Sequence, residues 1–163
     1  MIKIICSLFL VFFSSALTFG ADKFPSPDKT LIAVIEPHNK IKHKAEENVI
    51  KIVRTDGSIL AQKDFRSADK EHGYIIDKIG WTNDSNFIVF STYSSGGHQP
   101  WTSPTFFFAR SDNKIRSIDD ILGPVLDSDF EITSSDVLKI YVKDNKTGID
   151  KVLAVRLSDL MRN

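Results

Sequence analysis

Two continuous apolar runs, Phe87–Phe90 and Phe106–Ala109, dominate the pattern of this chain and flank a loop rich in Gly, Pro and Trp at Ser94–Pro104. That pattern predicts a long-looped β-hairpin. Because neither run alternates with polar residues, both faces of each strand are expected to meet protein. Before the hairpin, Thr30–Glu36 and Val49–Arg54 read as strands joined by a polar loop, Pro37–Asn48. Asp56-Gly57 then makes a tight turn into Ile59–Phe65, and the charged stretch Arg66–Gly73 leads into the strand Tyr74–Trp81.

After the hairpin, Asp112-Asn113 turns the chain into Lys114–Ile118, and Asp119–Leu122 with Gly123-Pro124 reads as one helical turn with a glycine stop. Phe130–Thr133, Leu138–Val142 and Lys151–Leu157 are further strands, and Asn145–Gly148 is the turn between the last two. Ser158–Asn163 reads as a short helical end capped by Ser158. No window of 11 or more residues shows helical periodicity. The expected fold is therefore all-β, with only short helical turns.

Three segments align with one another: Ser26–Val34, Thr82–Phe90 and Thr133–Tyr141. Each is a hydroxyl-led polar turn running into an apolar strand. Ser, Thr, Asn and Asp make such bends because their side chains bond nearby backbone groups. Ser26-Pro27-Asp28 with Leu31–Val34, and Trp81-Thr82-Asn83-Asp84 with Phe87–Phe90, resemble the blade motif of TolB-like and WD-type β-propellers. The resemblance implies four-stranded blades stacked face to face, with this motif forming the turn into the second strand. Residues 74–122 supply one full unit, and 24–65 and 124–163 supply the others. The family's glycine after the aspartate is replaced by Lys29 and Ser85, and the third copy lacks the proline. About two and a half blades fit, whereas closed propellers use roughly 4–8. The expected architecture is thus a set of antiparallel blade-like sheets, a β-sandwich, or an oligomer that closes the ring.

Residues 1–20 begin with Met1-Ile2-Lys3, continue through the apolar run Ile4–Phe13 and end in small or apolar residues, which is how a Sec-type signal peptide reads. Cleavage near Gly20 would leave one β-rich domain, 21–163, in a secreted or periplasmic location without a stable membrane span. The single cysteine, Cys6, lies within this leader, so the remaining chain has no thiol for a disulfide, a metal or a nucleophile. Removing Lys3 changes 21 basic and 21 acidic residues to 20 and 21, a near-neutral balance that disfavours nucleic acid as a partner.

The Ser94–Pro104 loop is the candidate binding surface. Tyr93, Gly96, Gly97, His98, Gln99 and Trp101 combine permissive backbone, a proton-active ring, an amide and a stacking face. Such a loop suits a protein or peptide partner, and it equally suits a structural role with Trp101 folded back over the sheet edge. A hydrolase-like or carbohydrate-active enzyme using His98 is the alternative, although a Gly-x-Ser-x-Gly elbow is missing and nothing in the spacing links Ser94 or Ser95 with His98 and Asp84. His38 and His43 with Glu46 or Glu47 lie among three lysines, which favours a solvated loop over a metal site, and His72 reads as a surface residue. The adjacent pairs Glu46-Glu47 and Asp119-Asp120 do not read as acid/base dyads; the first is expected in solvent and the second at the start of the helical turn. No cofactor or metal is expected. Asn83 and Asn145 stand in glycosylation-type patterns. A structural subunit that completes its sheets by self-association is the third reading.

Overall fold

The computed structural model describes residues 21–37, 46–96, 101–144 and 147–162. Within them the chain is all-β, built as three antiparallel sheets, none closed, with two short helices. The first sheet is a meander of β1 (Asp22–Pro25), β2 (Leu31–Pro37), β3 (Asn48–Arg54) and β4 (Ile59–Asp64). The middle sheet repeats that order with β5 (Tyr74–Trp81), β6 (Phe87–Ser94), β7 (Thr105–Ala109) and β8 (Lys114–Ser117). After α1 (Ile118–Leu122), the third sheet has β9 (Val125–Ile132), β10 (Val137–Lys143) and β11 (Asp150–Arg156), followed by α2 (Leu157–Leu160).

The middle sheet lies between the other two, which explains the unbroken apolar runs. Successive side chains of a strand point to opposite faces. Ile88, Phe90, Phe106 and Phe108 join Leu31, Ala33, Ile50 and Ile52 of the first sheet in one core. Phe87, Val89, Phe107 and Ala109 join Phe130, Leu138, Ile140 and Val142 of the third sheet in another. Polar links reinforce both contacts. Trp81 Nε1 donates to the Phe24 carbonyl at 2.9 Å, and Ser91 Oγ donates to the Ser128 carbonyl at 2.6 Å.

The first two repeated turns fold alike. Ser26 Oγ accepts the Leu31 amide at 3.0 Å and donates to Asp28 at 2.6 Å; Thr82 Oγ1 accepts the Phe87 amide at 3.0 Å and donates to Asp84 at 2.6 Å. The next residues, Lys29 and Ser85, have φ of 59° and 63°. These left-handed positions are the ones where the resemblance calls for glycine. The turns also touch each other, since the Asp28 amide donates to Ser85 Oγ at 3.0 Å and Arg110 pairs with the Asp28 carboxylate at 2.6 Å. The hydrogen bond from Ser26 and then the Arg110 guanidinium hold the Asp28 carboxyl well below the usual range.

The third turn departs from this pattern. It is one residue shorter, with the Thr133 amide donating to the Val137 carbonyl at 2.9 Å. Asp136 instead accepts Ser158 Oγ at 2.6 Å, while its carbonyl accepts the Leu157 amide at 2.8 Å. Ser158 is therefore not a helix cap. Helix α2 starts at Leu157, with Arg156 in the cap position and no side-chain cap bond. At α1 the cap is Ser117, whose Oγ accepts the Asp120 amide, and Gly123 ends the helix at φ 106°.

Two strands differ from expectation for physical reasons. β9 begins at Val125 rather than Phe130, because Asp127 and Asp129 face water on a half-buried strand and disguise its apolar positions. β1 is a short edge strand ending at Pro25, a residue an edge tolerates and a central strand does not.

The left-handed turn position gives a test. Lys29 is exposed, and left-handed backbone costs a residue with a Cβ roughly 1–2 kcal/mol, offset in part by the entropy glycine loses on folding. Lys29→Gly should raise the stability by up to about 1 kcal/mol, while Lys29→Val should lower it. Urea denaturation of both variants checks the pair of signs.

Candidate functional site

The loop after β6 is fixed at both feet by carboxylates. At its first foot, the Ser95 amide donates to the Gly73 carbonyl at 2.9 Å and Ser95 Oγ reaches Glu47 Oε1 at 2.7 Å. Glu47 also accepts the Ser67 amide at 2.5 Å, Ser67 Oγ at 2.7 Å and the Gly73 amide at 2.7 Å. Contrary to expectation, Glu47 is not a solvated turn residue; it is 2% exposed. Burial pushes its carboxyl up, but the Ser67 and Ser95 hydroxyls with the Ser67 and Gly73 amides outweigh that and hold it below the ordinary glutamate value. The carboxylate presses so closely on Gly73 that a Cβ there would overlap both the Glu47 carboxyl and the Phe65 carbonyl.

At the second foot, Asp119 Oδ2 accepts the Thr105 amide at 2.8 Å and Oδ1 accepts the Val125 amide at 2.9 Å. Asp119 is thus a clasp between β7 and β9, beyond the helix-start role expected of it. Burial raises its carboxyl above the usual value, opposed by the two amides. Thr92 closes the loop's neck, since its amide and hydroxyl donate to the Pro104 carbonyl at 3.0 and 2.8 Å.

Trp101 does not fold back into the protein. Its side chain belongs to a residue 63% exposed, and the Lys143 ammonium stands 5.1 Å from its ring centroid. Gly96 packs against the 66–73 segment, where a Cβ would overlap the Glu71 carbonyl. Tyr93 is half-buried, and burial followed by the charge of Asp77 raises its phenol. Gly97, His98 and Gln99 lie outside the described residues, as do His38 and His43.

Beside the loop lies a groove of about 540 Å³ between the first and middle sheets. Its apolar wall is Phe65, Tyr74, Pro104 and Phe106, and Lys63, Arg66, His72, Asp119 and Asp120 bring charge to it. His72 is exposed as expected, with Nδ1 2.5 Å from Asp69, whose hydrogen bond raises the imidazole's proton affinity. Neither this groove nor the role of Glu47 is legible in the sequence. The donors to Glu47 come from 20, 26 and 48 residues away, so no local spacing announces them.

Of the Ser94 or Ser95, His98 and Asp84 combination, His98 lies outside the described residues and the serines and Asp84 stand far apart. Ser95 bonds Glu47, whereas Asp84 is engaged by Thr82 and Asn86 beyond the opposite end of β6, about 25 Å away at the rise of an extended strand. Among the described residues, no group of three or more His, Cys, Asp or Glu is placed to hold a metal. No described helix is long and apolar enough to cross a membrane.

No protein-family model matches the chain, and no curated protein matches it. Among solved structures, it is similar to a "putative conserved lipoprotein" from Clostridium novyi NT, with 11% identity, a TM-score of 0.48, and coverage of 83% of this chain and 86% of that one.

Two substitutions test the Glu47 clasp. Glu47→Gln places an amide group against backbone and hydroxyl donors, and should cost at least about 2 kcal/mol in unfolding free energy. Because the folded-state carboxyl is lowered, its ionised form contributes stability that is complete above the ordinary glutamate pKa and disappears as pH falls through the folded value. The stability loss of wild type on acidification through that window should therefore be smaller in Glu47→Gln. Gly73→Ala should destabilise by a similar amount, and a double-mutant cycle with Glu47→Gln should be non-additive because the new methyl meets the same carboxyl group. Additive costs would contradict the clasp.

Proposed function

We propose that this chain is an exported, non-enzymatic binding domain that presents the loop between β6 and β7 to a protein or peptide partner. The observation that carries this reading is Trp101, a large aromatic 63% exposed on a loop whose two feet are pinned by Glu47 and Asp119. Aromatic side chains held in place on a rigid support bind with little loss of conformational freedom. The leader pattern of residues 1–20 supports export. The repeated meanders and the matched turns at Ser26 and Thr82 support blade-type repeats, in the manner of the propellers the sequence resembles.

A second reading is self-association. It is favoured by the outer face of the third sheet, where Tyr141 and Val152 are cross-strand partners, 38% and 58% exposed.

Purified wild type and Trp101→Ala should melt at the same temperature, since Trp101 supports no core. A partner captured by wild type from the exported fraction should be lost from the variant by at least about tenfold in affinity, measured on the isolated pair by titration calorimetry. Equal binding by both proteins would overturn the loop reading. Light scattering decides the second reading, for which a dimer or larger ring is expected and a monomer at high concentration counts against it.

A further inference from the structure

We infer that the groove beside the loop is a recognition site for a peptide segment carrying one acidic and one basic side chain around an apolar one. This deepens the proposed function and rests on it for the class of partner. The volume, about 540 Å³, falls in the range of roughly 300–1,000 Å³ typical of ligand sites. Phe65, Tyr74, Pro104 and Phe106 offer an apolar wall for one side chain.

The charges around that wall separate into those already satisfied and those left over. Arg66 is closed on Asp64 by two bonds of 2.7 and 2.5 Å, and His72 is closed on Asp69. Both oxygens of Asp119 hold backbone amides. Two groups remain. The half-buried Lys63 ammonium rests 4.5 Å from the Phe106 centroid and 5.5 Å from that of Phe65, with no carboxylate partner among the described residues. The exposed Asp120 carboxylate likewise has no cationic partner among the described residues.

Opposite unpaired charges select the ligand. A simple anion would meet Asp119 and Asp120, and a metal cation would meet Lys63. A ligand with a carboxylate for Lys63 and an ammonium or guanidinium for Asp120 satisfies both, while its apolar middle covers the ring wall. A polypeptide is favoured over a free amino acid because Pro104 and Asp119 belong at once to the groove and to the foot of the Trp101 loop, so one chain can reach both.

The test is selection of a phage-displayed library of random dodecapeptides on the wild-type protein, followed by titration of a synthesised consensus peptide. The expected consensus has an acidic and a basic residue flanking an aromatic or aliphatic one. Its affinity should fall about tenfold in Lys63→Met and in Asp120→Asn, and Lys63→Arg should retain it. Alanine at the acidic peptide position should have little effect in Lys63→Met, and alanine at the basic position little effect in Asp120→Asn. Competition by millimolar free lysine and glutamate would show amino-acid rather than peptide recognition and would overturn the inference. So would the absence of a charged consensus, or wild-type affinity in both variants with unchanged thermal melting. Loss of native-partner binding in Trp101→Ala with no effect of the groove variants would sink the groove and leave the loop reading standing. Consensus binding lost in the groove variants but intact in Trp101→Ala, together with undiminished partner binding by that variant, would do the reverse.

Discussion

Coverage of the middle sheet on both faces is the constraint from which the rest of the structure follows. Phe90 and Phe106 stack at 5.7 Å on one side while Phe87 and Phe107 meet at 6.3 Å on the other. Burying a large side chain fully is worth about 1.5–3 kcal/mol, so neither face could be left to water without losing much of the core. The first and third sheets are thereby committed to flank the second. The cross-sheet bonds of Trp81, Asp28 and Ser91 then fix how they sit against it.

Apolar burial cannot organise the ends of the sheets, where the chain must turn and expose backbone donors. There, carboxylates take over. Asp28 and Asp84 hold the tight turns, and Glu47 and Asp119 fasten longer segments. Charge-assisted bonds to backbone amides suit this task because they are stronger than neutral ones and orient the loop as well as binding it. The Trp101 loop inherits its position from these anchors.

The legible parts of the fold were those encoded locally. The central hairpin, the Asp56-Gly57 turn and the glycine stop at Gly123 each depend on neighbouring residues. The turns at Ser26 and Thr82 are legible for the same reason, whereas the left-handed backbone of Lys29 and Ser85, which read in the sequence as departures from the motif, shows only in the fold. The third turn misled because Asp136 serves α2 instead of its own bend. β9 was partly hidden because its alternation mixes carboxylates with apolar residues. At the candidate site, Trp101 and Gly96 could be picked out by residue type. Glu47 could not, since its meaning arises only when Ser67, Gly73 and Ser95 converge on it. The groove is likewise a product of two sheets meeting.

The shared acceptor of the rim also ranks the connections it joins. Ser67 and Gly73 in the β4–β5 connection and Ser95 in the β6–β7 connection all donate hydrogen bonds to the one carboxylate of Glu47, which directly precedes β3. Release of Ser95 leaves Glu47 three donors from the other connection, whereas release of Ser67 and Gly73 leaves the buried anion with Ser95 alone and is the costlier of the two. Glu47 thus ties the two connections unequally, as a post to which one rope is lashed three times and the other once.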